Sequence, residues 1–229
     1  MNKHYNKKRS RVKNLAFMGI FTALAYVTAL VIRFPVPPFL TLDMKDAVIA
    51  IGAMACGPLS AIVMTAAVAL LEFISVGDTG VYGLIMDVIS SLGFAFTAAL
   101  IYRYKKTFSG AIVSLVASVF AMTSIMLLAN LLITPYYMGV SVAAVRGLIP
   151  KLLLPFNFLK GMLNAGVVAL LYKPLTGALN RILGNKKEKT ADSKRGQRTI
   201  WMSLAALLVI IAALLVLFLV MDAGVDFGK

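Results

Sequence analysis

Leu154-Pro155-Phe156-Asn157-Phe158-Leu159-Lys160-Gly161-Met162-Leu163-Asn164 decides how this chain is read. It opens an apolar run that continues to Tyr172. Proline suits the first turn of a helix, where its missing N–H would have no partner anyway. From that start, Asn157, Lys160 and Asn164 fall at spacings of three and four, on one helical face. An amide, an ammonium and a second amide thus share a stripe on a helix otherwise built of Phe, Leu, Met, Val and Ala. Placing a lysine inside a membrane helix costs about 3 kcal/mol or more, which marks the stripe as a candidate binding site. The alternative is that Asn157 caps the helix and Lys160 snorkels toward the headgroups.

The rest of the chain supports a membrane setting. Of its 229 residues, 60% are hydrophobic and 14% charged, with a mean hydropathy of +0.89. A soluble domain of this length needs more polar surface, so the chain reads as an all-α, multi-pass membrane protein. Long apolar runs containing scattered Gly and Pro suit helices better than the alternating pattern of a membrane barrel. The formal charge of +14 does not point to nucleic acid, because the basic residues gather in tails and short loops beside apolar spans. Cys56 and His4 are the only cysteine and histidine, which excludes a disulfide framework and a His/Cys metal site.

Residues 1–13 carry Lys3, Lys7, Lys8, Arg9, Arg11 and Lys13 with no acid, a cytoplasmic tail by the positive-inside rule. A first helix is expected from Asn14 to Ile32, too long for a signal peptide core and so retained. Its small residues Gly19, Ala23, Ala25 and Ala29 stand in pairs four apart, which lets another helix approach closely. Arg33 to Leu40 then reads as a proline-stiffened outer loop. Residues 46–71 are apolar but interrupted at Cys56-Gly57-Pro58. Two tilted helices meeting there keep Arg103, Lys105 and Lys106 on the cytoplasmic side, whereas a single helix would not. Glu72–Gly80 is expected as an outer loop, followed by helices at Val81–Tyr102 and Ala111–Ile133. Thr134–Leu154 is expected as an outer connection, and a sixth helix begins at Pro155. The domain so defined covers residues 14–183. A basic cytoplasmic linker (184–198), a further transmembrane helix (199–221) with Trp201 at its inner border, and an external tail (222–229) complete the chain.

With that topology the buried polar residues converge. Asn130, Asn157, Lys160, Asn164 and Asp87 lie in the outer half of the bundle, with Glu72 at the same face. Polar groups inside a membrane face one another or a cavity rather than lipid. Catalytic patterns are thin: there is no G-x-x-x-x-G-K-[ST], no H-E-x-x-H and no G-x-S-x-G. Asp43 and Asp46 flank Lys45 beside a loop and read as a helix start rather than a metal site.

Several stretches carry a family resemblance: the Pro35-to-Leu40 loop leading to Asp43 and Asp46, the Ala55-Cys56-Gly57-Pro58 turn, Asn130-Leu131-Leu132-Ile133-Thr134-Pro135-Tyr136-Tyr137, and Pro155-Phe156-Asn157-Phe158-Leu159-Lys160-Gly161. From Asn14 to about Leu183 the chain resembles the S components, the substrate-binding subunits, of energy-coupling factor (ECF) vitamin transporters, closest to the riboflavin-specific type. The resemblance implies a six-helix bundle with both ends of the core in the cytoplasm and a flavin pocket near the outer face. The extra C-terminal transmembrane helix has no counterpart in that core. The resemblance also implies docking through the small residues of the first helix onto a transmembrane coupling protein that carries two ATPase subunits. Asn130, Asn157 and Lys160 correspond to residues that contact the flavin ring in the family. The sequence departs from the pattern at Ala47 and Val48, where a proline is usual, and at Asp87, where an asparagine is common.

Riboflavin, as a transported ligand rather than a cofactor, is chemically suited to these residues. The pyrimidine edge of its ring alternates acceptors with a donor, which an amide and an ammonium can meet. The flat ring needs apolar walls, available from Phe39, Leu40, Tyr136 and Phe156. The competing readings are an S component for another vitamin or a queuosine precursor, and a small integral-membrane enzyme acting on lipid or isoprenoid phosphates. The enzyme would need acidic metal ligands near a membrane face.

Overall fold

The computed structural model describes residues 2–36, 39–77 and 79–183, with side chains described between 12 and 172. The expected linker 184–198, the further helix 199–221 and the tail 222–229 lie outside the described residues.

The first helix, α1 (Asn2–Val31), begins twelve residues before the expected Asn14, because the basic stretch continues the same helical turns. It leads into a β-hairpin in place of the expected irregular loop, the one departure from an all-α bundle among the described residues. Strand β1 (Arg33–Val36) pairs antiparallel with β2 (Leu40–Asp43), Arg33 opposite Asp43 and Val36 opposite Leu40. A two-stranded ribbon is all edge, so Pro35 is tolerated within it.

The break in the apolar run lies where the sequence places it. Helix α2 (Lys45–Cys56) ends at Gly57, and α3 (Pro58–Val76) starts with proline in its first turn. Gly57 has a φ of 106°, a backbone conformation that side chains other than glycine's disfavour. With 12 residues, α2 is about 18 Å long, short of the roughly 30 Å hydrocarbon core. Helix α3 continues through Glu72 to Val76, so the expected outer loop shrinks to residues 77–79. Glu72 does not stop the helix because its carboxylate is paired with Lys45.

Helix α4 (Gly80–Ser91) passes through a π-turn at Leu92–Phe96 into α5 (Thr97–Tyr102). After a short turn, Thr107 caps α6 (Phe108–Met138), accepting a hydrogen bond from the Gly110 N–H. The expected connection 134–154 is largely helical: α6 runs on past Pro135, then α7 (Val142–Leu148) passes through a second π-turn at Ile149–Leu153 into α8 (Leu154–Leu183). Among the described residues, five helical runs are long and apolar enough to cross a membrane: Val12–Val31, Pro58–Val76, Gly80–Tyr102, Phe108–Met138 and Val142–Tyr172. Outward-facing Leu24, Val63, Val113, Phe120 and Leu132 are exposed, as expected of surfaces that meet lipid rather than water.

Two apolar clusters hold the bundle together. One joins α1, α2, α3, α4–α5, α6 and α8 through residues such as Phe21, Met64, Phe94, Met122 and Val168. The other seats the hairpin on α7 and α8: Val36, Leu40 and Leu42 meet Val145, Leu152, Phe156 and Leu163. A Cβ at Gly161 would lie 3.2 Å from Val119 Cγ1, so glycine there permits α8 to lie close against α6. At the far end of the bundle, the Tyr102 and Tyr172 hydroxyls are 2.8 Å apart and tie α5 to α8.

Candidate functional site

The α8 stripe forms one wall of a cavity of about 460 Å³, within the usual range of roughly 300–1,000 Å³ for ligand sites. It opens at the end of the bundle where the hairpin, the C-termini of α3 and α6 and the N-terminus of α4 meet, opposite the Arg103–Lys106 turn. Phe39, Leu40, Asp87, Phe156, Asn157 and Lys160, six of the expected site residues, border it.

Lys160 does not snorkel. Its ammonium is buried and donates to Asp43 Oδ2 at 2.8 Å, with Asp46 Oδ2 4.0 Å away. Neither does Asn157 cap the helix; its amide donates to the Leu153 carbonyl one turn back, at the end of the second π-turn. Asp46 lies in the first turn of α2, as a helix start would have it, and accepts a hydrogen bond from the Ser91 hydroxyl. The two acids are nevertheless more than markers of a helix end, because Asp43 is the counter-ion of Lys160. Burial pushes the Asp43 carboxyl up, but the Lys160 and Lys45 ammonium groups outweigh it and hold it below its ordinary value.

Asn164 and Asn130 are set behind the wall. Asn164 accepts from the Ala47 N–H at 2.8 Å and donates to the Lys160 and Asp43 carbonyls, so it fastens α8 to the junction of β2 and α2. Asn130 donates to the Met126 carbonyl and accepts from the Thr134 hydroxyl, and Thr134 rather than Asn130 borders the cavity. Tyr136, expected as an apolar wall, points outward with 78% of its surface exposed. Its neighbour Tyr137 takes that place, since one residue turns a helix by about 100°. Tyr137 lies edge-on to Phe39 at 6.3 Å between centroids and 6.2 Å from Tyr82, so three aromatic rings from three elements rim the opening.

Sequence reasoning passed over Lys45. It is 1% exposed and its Nζ lies 2.6 Å from both Glu72 Oε1 and Asp87 Oδ1, joining α2 to α3 and α4. The signal was available: a lysine between two aspartates beside an apolar helix needs partners, just as Lys160 does. Among the described residues bordering the cavity, three are basic (Arg33, Lys45, Lys160) and three acidic (Asp43, Glu72, Asp87), so the charges balance.

The small residues of α1 divide between two faces. Gly19 and Ala23 are exposed, whereas Ala25 and Ala29 are buried in the bundle. Of the four residues expected as a docking face, Ala25 and Ala29 are therefore closed to a partner helix, and only Gly19 and Ala23 lie on the outer surface. The reason is angular: from Ala23 to Ala25 the helix turns about 200°.

With this geometry in hand, three comparisons bear on the chain. The family described as ECF transporter, substrate-specific component, matches residues 13–176. The chain is 29% identical over 192 residues to the riboflavin transporter RibU of Staphylococcus aureus (strain TCH60), covering 80% of this chain and 100% of that one. It is 29% identical over 174 residues to the riboflavin transporter FmnP of Bacillus subtilis (strain 168), covering 71% and 91%. A solved structure of the S component of a bacterial ECF transporter superposes with a TM-score of 0.63 at 26% identity, over 74% of this chain and 98% of that one.

Proposed function

The chain belongs to the family of substrate-specific components of ECF transporters, and from that premise we propose that it captures riboflavin in the cavity at the hairpin end of the bundle. It is a multi-pass membrane subunit of a transporter, not an enzyme. The observation that carries the choice of ligand is the cavity wall itself. Asn157 and Lys160 stand side by side at a balanced, partly aromatic cavity of about 460 Å³, in a chain 29% identical to two riboflavin transporters.

In this reading Asn157 and Lys160 hold the polar edge of the flavin ring. Phe39, Leu40 and Phe156 line the ring, and Thr134 carries the influence of Asn130. Asn164 keeps Lys160 and Asp43 in register. The balanced wall favours the neutral vitamin over a phosphorylated flavin, whose charge would need surplus cations. The cavity faces outside, because the opposite end carries Arg103, Lys105 and Lys106 next to short turns. Gly19 and Ala23 on the exposed face of α1 meet the coupling subunit of the ECF module, whose ATPases supply the energy.

The test is direct. Protein purified in detergent from riboflavin-containing medium is expected to be yellow and to release a flavin on denaturation. Apo protein is expected to quench riboflavin fluorescence at one equivalent. Colourless protein that fails to quench would reject riboflavin as the ligand.

A further inference from the structure

The charged side chains bordering the cavity form a chain of ion pairs from α3 and α4 across to α8. Glu72 and Asp87 each lie 2.6 Å from Lys45. Lys45 lies 4.0 Å from Asp43, and Asp43 lies 2.8 Å from Lys160. The two ends of this chain differ in chemistry. The α8 end offers the amide and ammonium of Asn157 and Lys160; the α3–α4 end offers two carboxylates, which only accept.

Ser90 stands at the carboxylate end, three residues along α4 from Asp87, and borders the cavity. It is 3% exposed, yet its hydroxyl has no hydrogen-bond partner. Several other helical hydroxyls here do not behave this way. Those of Thr28, Ser75, Ser118 and Thr123 donate to the carbonyl four residues back, and that of Ser91 donates to Asp46. A buried hydroxyl left unbonded is unfavourable, so its presence at a cavity wall calls for a ligand group. Thr65 also has a buried unbonded hydroxyl, but it does not border the cavity. The π-turn beginning at Leu92 shifts the hydrogen-bond register of the helix just beyond Ser90, a feature that recurs at functional sites.

We infer that Glu72, Asp87 and Ser90 form a subsite for a polyhydroxyl chain, with the Ser90 hydroxyl in direct contact with a ligand hydroxyl. The inference rests on the flavin reading and adds which wall receives which part of the ligand. Hydroxyl groups donate to the two carboxylates, while Ser90 both donates and accepts. Lys45 is already shared between these two carboxylates and Asp43, so this end holds no cation in surplus for an anionic group. The cavity is thus polarised: donors on α8 take the acceptor-rich edge of a ring, and acceptors on α3 and α4 take its polyol tail.

Riboflavin and lumiflavin, which carries a methyl group in place of the ribityl chain, separate the two walls. Each is titrated by fluorescence quenching against the full chain in detergent, as wild type, Ser90→Ala and Asp87→Ala, with thermal unfolding recorded for each. Wild type is expected to bind riboflavin more tightly than lumiflavin. Ser90→Ala is expected to weaken riboflavin binding about tenfold and leave lumiflavin binding unchanged, with unfolding as in wild type. Asp87→Ala, which removes the acceptor oxygens and leaves Glu72 as the partner of Lys45, is expected to show the same ligand-selective loss, which keeps the inference open to test if Ser90→Ala folds poorly. Equal losses for both ligands, undiminished riboflavin binding in Ser90→Ala, or a wild type indifferent to the ribityl chain would overturn the subsite alone. A wild type that binds neither compound would overturn the flavin reading itself.

Discussion

Replacing Lys160 with methionine is expected to damage two properties at once, and a second substitution separates them. Lys160→Met keeps the volume but leaves the Asp43 carboxylate, 4% exposed, with Lys45 at 4.0 Å as its remaining cation. Breaking a buried pair in this way costs about 3–5 kcal/mol, because one charge stays buried without its nearest partner. Adding Asp43→Asn removes that charge, and an uncharged pair of similar volume is expected to recover most of the lost stability. Affinity follows a different course. If Lys160 donates to the flavin, both the single and the double variant lack that donor, and each loses about 1–3 kcal/mol of binding, roughly tenfold to a hundredfold. Thermal unfolding in detergent measures the first effect and quenching of riboflavin fluorescence the second. Wild-type affinity in the double variant would show that Lys160 serves only as a structural ion pair. An unchanged melting temperature in the single variant would contradict the buried pair with Asp43.

Three further outcomes are expected. Because Asp43 is held below its ordinary value of 3.8, its ionised form contributes stability above that pH and loses it only as pH falls through the lowered value. The melting-temperature difference between wild type and the Asp43→Asn/Lys160→Met variant is therefore expected to stay constant from about pH 9 to about pH 8, and a steady decline over that window would contradict the pairing. Ala23→Trp, on the exposed face of α1, is expected to abolish uptake in cells and spare riboflavin binding in detergent. Ala25→Trp, at a position with 0% exposure, is expected to cost about 3 kcal/mol or more by overpacking; intact stability there would contradict the inward face. Finally, Thr79→Cys in a Cys56→Ala background is expected to react with a membrane-impermeant maleimide in whole cells, and labelling only in inverted vesicles would reverse the orientation.

Much of this protein is legible along the chain. Long apolar runs specify membrane helices. Gly57-Pro58 marks the break between α2 and α3, since the pair combines a residue that tolerates positive φ with one that suits a helix start. The spacing of Asn157, Lys160 and Asn164 identifies a shared face, because that relation depends only on one helix's own geometry. Tertiary structure decides what each face meets. Lys160 and Asp43 are 117 residues apart, as are Ala47 and Asn164. Lys45 finds Glu72 and Asp87 only because α2, α3 and α4 pack side by side. Helical periodicity gives angles about one axis but not the rotation of that axis within a bundle. Hence Tyr137 replaces Tyr136 at the cavity, and Ala25 turns inward while Ala23 faces out. The apparent stop signals at Glu72 and Pro135 fail for a related reason. A charge ends a membrane helix only when it is unpaired, and Glu72 acquires its partner from another helix. Pro135 removes one N–H from α6, a single lost bond that leaves the helix unbroken as far as Met138.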